Sequence, residues 1–322
     1  MAQTLKPDEL AREIRQRRGL IPFALETPHR RICWMDLEEF HCYQGFLEQA
    51  LASYKALRGS EPQIFLSPFD ALPAATEALA ESGGALAPSA LVFHAGRCGS
   101  TLLAKVLARS RSNIVFGEAP AHNQVWKALD GTGADEAISL YRQLLCAMGR
   151  RRLASYRAHI IKFTSYNIMR FKMIRAAFPD TPALFLFREP RKLLDSYHRE
   201  IPPWMGRDLD RGMAWQTPEL AAEDFFRAAV AVRDENFRVL EYSALTPRTL
   251  PAILQFFNQD VSPSDLRLMS AEFSWNAKSS HPQPFIANTQ APLSSSAPRL
   301  RDLYCQLVNR AHVEWRTDYE KI

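Results

Sequence analysis

Between residues 90 and 257, short apolar runs alternate with amphipathic stretches, and this rhythm predicts most of the architecture. Strands are predicted at 90–94, 113–116, 159–163, 182–187 and 238–242. Helical spacing is found at 135–149, 166–178, 190–199, 219–236 and 246–257. Strands that read as unbroken apolar runs, alternating with helices, belong to a parallel sheet covered on both faces. Upstream the pattern is less regular. A polar helix is predicted over 7–19, opened by Pro7-Asp8 and closed by Gly19, then a strand at 31–36 and a helix from about Cys42 to Leu57. A short strand at 64–66 and a helix near 72–81 follow. Trp34, Phe40, Tyr43 and Phe46 read as the small core of this part. Ser82-Gly-Gly-Ala-Leu-Ala-Pro-Ser89 is rich in breakers and marks a boundary. The expectation is an accessory α+β module of residues 1–88 and an α/β domain of residues 89–322.

The chain is organised around Leu91-Val-Phe-His-Ala-Gly-Arg-Cys-Gly-Ser-Thr-Leu-Leu-Ala-Lys-Val-Leu-Ala-Arg109. An apolar strand passes through a glycine-bearing turn into a helix. Leu102, Leu103, Val106 and Leu107 recur at helical spacing, with Lys105 and Arg109 predicted on the other face. A strand, a turn and a helix N-terminus make an anion site: N–H groups point outward, the dipole favours negative charge, and Ser100 and Thr101 add hydroxyls. Ligands of open parallel sheets sit beyond the carboxyl ends of the strands, so chemistry should gather at Arg97, Glu118, Thr164 and Arg188.

The loop differs from the nucleotide loop G-x-x-x-x-G-K-[ST]. With Gly99 as the second glycine, His94 takes the place of the first and Ser100 that of the lysine. The strand 183–187 ends in Arg188, with no acidic residue to hold a metal. Such a loop is ill suited to Mg·ATP. A sulfuryl group carries less negative charge than a γ-phosphoryl group, and fixed cations and N–H donors suit its transfer without a metal.

Arg97-Cys-Gly-Ser-Thr-Leu102 resembles the 5′-phosphosulfate loop of sulfotransferases that use 3′-phosphoadenosine 5′-phosphosulfate (PAPS). Downstream, Leu184-Phe-Leu-Phe-Arg-Glu-Pro-Arg-Lys-Leu-Leu-Asp-Ser-Tyr197 resembles the strand of that family ending in Arg-x-Pro, with a serine eight residues after the arginine. The resemblance spans about residues 89–285 and implies a P-loop-type parallel sheet flanked by helices. It implies that Arg97, Cys98, Gly99, Ser100 and Thr101 hold the 5′-phosphosulfate, and that Arg188 and Ser196 hold the 3′-phosphate. Phe237-Arg-Val-Leu-Glu-Tyr-Ser-Ala-Leu245 is similar to the late strand with its Tyr-x-x-Leu ending, which reads as core architecture. Lys278 falls where the family places a basic loop over the 3′-phosphate, although the family's Arg-Lys-Gly form is absent. The implied donor is PAPS, the product 3′,5′-diphosphoadenosine, and no metal is expected.

A hydroxyl acceptor must lose a proton as sulfur is attacked. Cytosolic members of the family carry Lys-x-His after the third strand; here Ile161-Lys162-Phe-Thr164 keeps the lysine and lacks the histidine. Other branches use a Glu after the second strand, which assigns the base to Glu118, with Lys162 assisting the leaving or bridging oxygen. His94 is expected as a satisfied strand-end residue, and His122 and His198 as cleft-wall or surface residues. Cys98, at a helix N-terminus, is expected to have a lowered pKa without acting as nucleophile. Gly149-Arg-Arg-Arg152 reads as a solvated helix end.

Composition sets outer bounds. A hydrophobic fraction of 47% fits a core-forming globular protein, and a net charge of +5 is too mild to point to nucleic acid. Five scattered cysteines without a C-x-x-C pair argue against a disulfide framework or zinc site. The start has no apolar signal core, and no run reaches the roughly 18 apolar residues of a membrane span, so a soluble cytoplasmic protein is expected. The acceptor stays open among small molecules, carbohydrates and peptides, as does the oligomeric state. Two rival readings remain: a degenerate P-loop kinase or nucleotide-binding protein, and a non-catalytic binding protein of the same fold.

Overall fold

The amino-terminal residues form a sheet of their own. In a computed structural model that describes residues 2–207, 209, 213–275 and 298–319, the first part runs β1 (Gln3–Thr4), α1 (Pro7–Gln16), β2 (Leu20–Glu26), β3 (Arg31–Asp36), α2 (Leu47–Arg58), β4 (Gln63–Pro68) and α3 (Leu72–Glu81). The strand order is β1-β4-β3-β2, with β2/β3 and β3/β4 antiparallel and β1/β4 parallel. No pattern in the sequence predicts β2, because Pro22 interrupts it. The structure tolerates Pro22 by placing β2 at the sheet edge and shifting register between Pro22 and Ala24.

The second part runs β5 (Ala90–His94), α4 (Ser100–Ala108), β6 (Asn113–Gly117), α5 (Pro120–Ala128), α6 (Ala134–Met148), β7 (Ala158–Lys162), α7 (Phe171–Ala177), β8 (Ala183–Phe187), α8 (Pro190–Arg199), α9 (Pro218–Ala231), β9 (Phe237–Glu241), α10 (Leu250–Phe256), α11 (Pro263–Glu272) and α12 (Pro298–Tyr319). Its strands form a parallel sheet, as the alternating pattern predicts, and their order is β6-β7-β5-β8-β9. Every residue of β5 and β8 is buried, which explains why these strands read as continuous apolar runs. Among the described residues, no helix is long and apolar enough to cross a membrane.

Contacts divide the chain into two compact units. One comprises Met1–Ser89, Leu107–Ile161 and Met173–Thr181; the other comprises Ala90–Val106, Lys162–Lys172 and Pro182–Ile322. In the first unit, Trp34 is fully buried and donates its indole N–H to Ser67 Oγ at 2.9 Å. Trp126 stacks on Tyr141. Phe40 is in the core, whereas Tyr43 is exposed and Phe46 half-buried, because α2 begins only at Leu47 and residues 42–46 are not helical.

The basic run at 149–152 is corrected by the structure. Arg151 is exposed, but Arg150 and Arg152 are each 1% exposed. Arg150 donates to the carbonyls of Ile14 and Leu20 and to Ser82 Oγ. Arg152 donates to the Phe40 carbonyl and packs over the rings of Phe116 and Tyr156. These guanidiniums are spent on backbone acceptors rather than on water. Burial lowers the Arg150 pKa to about 10.

In the second unit, Phe93 stacks on Phe163 and meets Phe171 edge-on, and Phe171 meets Phe237. This aromatic column fixes β5 and β9 around β8. Lys105, predicted on the polar face of α4, is 6% exposed.

Candidate functional site

The strand β5 ends in a loop whose backbone is left-handed at Gly96 (φ +81°), Arg97 (φ +51°) and Gly99 (φ +81°). Glycine is required at both its positions. A Cβ on Gly96 would stand 1.9 Å from Tyr197 Oη, and one on Gly99 would stand 2.6 Å from the Tyr242 ring and 3.3 Å from Leu245. The Tyr-x-x-Leu spacing after β9 therefore has a specific use, since both of its residues pack on Gly99.

Contacts of four side chains fix the loop. Tyr197 donates to the Ala95 carbonyl at 2.7 Å. Cys98 Sγ donates to the Leu186 carbonyl at 3.2 Å. His94 Nδ1 accepts from the Gly96 N–H at 2.9 Å, and its Nε2 lies 2.9 Å from the Phe163 carbonyl. Since Nδ1 accepts, Nε2 carries the proton and donates, so His94 is a neutral structural bridge. Arg188 Nη1 donates to the Arg97 carbonyl at 3.2 Å, and its guanidinium lies over the Tyr242 ring at 4.8 Å.

The result is a rigid turn leading into the first helical turn at Ser100 and Thr101, whose N–H groups have no partner within the helix. Consecutive left-handed residues before a helix make a concave set of N–H donors suited to a tetrahedral anion. Ser100 is nearly buried and Thr101 half-buried. Arg97 directs its guanidinium to Glu200: Nη1 meets the carboxylate at 2.8 Å and Nη2 meets the Glu200 carbonyl.

Cys98 departs from expectation. Instead of a lowered pKa it is fully buried, and burial pushes the thiol up to about 12, outweighing the charges of Lys162 and Arg188. The backbone of Ser100 at the start of α4 does favour the thiolate, but burial outweighs it.

Arg188 ends β8, and α8 starts at Pro190, the first helical position as predicted. Glu189 caps the helix, accepting from the N–H groups of Arg191 and Lys192 at 3.1 Å each. Ser196 is half-buried on α8, between buried Asp195 and buried Tyr197. Lys162, at the end of β7, is 1% exposed. Thus Arg97, Cys98, Gly99, Ser100, Thr101, Lys162, Arg188 and Ser196 all belong to the second unit.

Glu118 belongs to the first unit, immediately after β6. It is half-buried with φ +51°, an uncommon conformation for a residue with a side chain. His122, one turn into α5, is fully buried, which corrects the expected cleft-wall placement; burial lowers its pKa to about 3 despite the nearby Glu118 charge. His198 is exposed and paired with Glu219 at 3.0 Å. Lys278 lies outside the described residues. The residues that sequence reasoning missed are Tyr197 and Glu200. The close pair of loop glycines is the one signal that a bulky neighbour packs there.

No family model matches the chain, and no curated protein matches it. Among solved structures, it is similar to the sulfotransferase STF9 from Mycobacterium avium, with a TM-score of 0.45 and 11% identity, covering 98% of this chain and 96% of that one. It is similar to the sulfotransferase domain from the curacin biosynthetic pathway, with a TM-score of 0.44 and 15% identity over 70% of this chain and 98% of that one. It is also similar to the mouse sulfotransferase SULT7A1 complexed with PAP, with a TM-score of 0.37 and 14% identity over 75% and 88%. At such identities and TM-scores these are distant likenesses.

Proposed function

We propose that the protein is a PAPS-dependent sulfotransferase that passes the sulfuryl group directly, in line, to a hydroxyl oxygen of a small-molecule, carbohydrate or peptide acceptor. The observation that carries this reading is the coupling of two cationic positions. Arg188, which the resemblance assigns to the 3′-phosphate, holds the backbone of the very loop assigned to the 5′-phosphosulfate. The donor set fits a nucleotide with an anionic group at each of two positions: N–H groups at Gly99, Ser100 and Thr101, hydroxyls at Ser100, Thr101 and Ser196, and guanidiniums at Arg97 and Arg188. Lys278 is assigned to the 3′-phosphate on the resemblance alone.

Direct transfer needs a base, a stabilised leaving oxygen and a fixed donor. Glu118 takes the acceptor proton. Lys162 offsets charge on the leaving oxygen. The loop contributes preorganisation, because its turn is held by Tyr197, His94 and Arg188 and need not reorient as charge shifts.

The test is ligand discrimination. Arg188→Ala should weaken binding of 3′,5′-diphosphoadenosine at least tenfold more than binding of AMP, measured by calorimetry. Equal losses for the two nucleotides would refute the 3′-phosphate assignment.

A further inference from the structure

Arg97 shares its charge. Both of its side-chain contacts, to a carboxylate oxygen and to a carbonyl, go to Glu200, the C-cap residue just after α8. The carbonyl is one that the helix end leaves without a helical partner. The Arg97 side chain is 13% exposed and that of Glu200 66%, so a water-facing carboxylate is pinned against the sheltered cation of the loop. Among the described residues, Lys162 and Arg188 are also cations close enough to act on the Cys98 thiol of this loop.

A terminal sulfuryl group and a terminal phosphoryl group have the same tetrahedral shape and present three oxygens alike. They differ in charge: the sulfuryl group carries one, whereas the phosphoryl group carries close to two above its second pKa of about 6. N–H donors and hydroxyls cannot separate such isosteres, whereas local charge can. A fully charged Arg97 would favour the dianion. An Arg97 already offset by a carboxylate favours the monoanion.

We propose that Glu200 is a specificity-determining residue: by offsetting Arg97 it makes the loop prefer a sulfuryl group over the isosteric phosphoryl group. This rests on the donor reading above and refines it, and it assigns to the chain's own carboxylate a task that the loop sequence does not perform.

The experiment compares the affinities of PAPS and of its phosphate isostere, 3′-phosphoadenosine 5′-diphosphate, for the full chain at pH 8 and low salt by calorimetry. The proteins are wild type, Glu200→Gln, Glu200→Ala and Glu200→Asp. Wild type should prefer PAPS. In Glu200→Gln, which keeps an acceptor for Arg97 but removes the charge, the preference should fall about three- to fivefold, mainly through tighter binding of the isostere, as expected for one exposed charge. Glu200→Ala should behave likewise, and Glu200→Asp should keep the wild-type ratio. A merely structural role would change both affinities together and leave the ratio fixed. PAPS binding with a ratio unchanged in both neutral variants overturns the role of Glu200 and leaves the donor reading standing. Failure of the wild-type chain to bind either 3′-phosphorylated nucleotide overturns the donor reading, and this inference with it.

Discussion

Gly96→Ala is the sharpest test of how the loop is built. The added methyl would lie 1.9 Å from Tyr197 Oη and 2.7 Å from its Cζ. Tyr197 is 1% exposed and its hydroxyl is bonded to the Ala95 carbonyl, so it has no room to retreat without losing that bond. Two costs add. Holding a residue with a Cβ at φ +81° costs about 1–2 kcal/mol. Stranding the buried phenol and carbonyl costs about 1–3 kcal/mol more. The total is about 2–5 kcal/mol. Gly59 provides the matched control, since it has φ +74° and nothing within 4 Å of an added Cβ, so Gly59→Ala carries only the first cost. At about 2–4 °C per kcal/mol, Gly96→Ala should lower the thermal midpoint by roughly 4–20 °C, and Gly59→Ala by roughly 2–8 °C. Calorimetric scanning of the two variants side by side gives the difference. Equal destabilisation would show that the Tyr197 contact does not constrain the loop.

Three other outcomes are expected. Glu118→Gln should cut transfer from PAPS to a working acceptor by about 10²–10⁴-fold while leaving affinity for 3′,5′-diphosphoadenosine within twofold; unchanged turnover would remove Glu118 as the base. Burial lowers the pKa of His41 to about 4, of His122 to about 3 and of His159 to about 4, while an unfolded histidine titrates near 6.5. Their neutral forms therefore give full stability above pH 6.5, and it drains away as pH falls through 6.5 towards 3–4, by about 2 kcal/mol per residue at pH 5. Denaturant unfolding at pH 8 and pH 5 should show this loss, and His122→Leu should reduce it by about a third; a flat wild-type profile would contradict the burial of these rings as neutral groups. Finally, iodoacetamide at pH 8 should label exposed Cys305 and spare buried Cys98 in the folded chain, as mapped by mass spectrometry. Labelling of Cys98 at the rate of Cys305 would mean that the loop opens.

The parallel sheet was legible because β5 and β8 are buried along their whole length and so spell continuous apolar runs. The anion loop was legible because a left-handed turn leaves glycines behind. Its clamp was not, since Tyr197 and Glu200 meet the loop from 102 and 103 residues away, and no local pattern encodes such contacts. Charge was the most misleading signal. Arg150 and Arg152 look solvated by composition, yet distant carbonyls draw them inside. Lys105 likewise sits on a helix face that spacing alone gives to solvent. Cys98 shows the same limit from the other side, because its position at a helix start predicts an acidic thiol and only packing reveals that the sulfur is sealed.

The buried Arg150 also has a consequence in time. Its acceptors at Ile14 and Leu20 leave the ribosome 136 and 130 residues before it does. The end of α1 and the start of β2 therefore wait, with carbonyls turned towards an empty place, through most of the synthesis of the first unit. Contacts of such long sequence separation form late and slow the folding of the elements they join. A chain started at residue 89 would reverse the problem, burying a guanidinium whose two carbonyl partners were never made. The first 88 residues are thus needed by Arg150 before any question of what they bind.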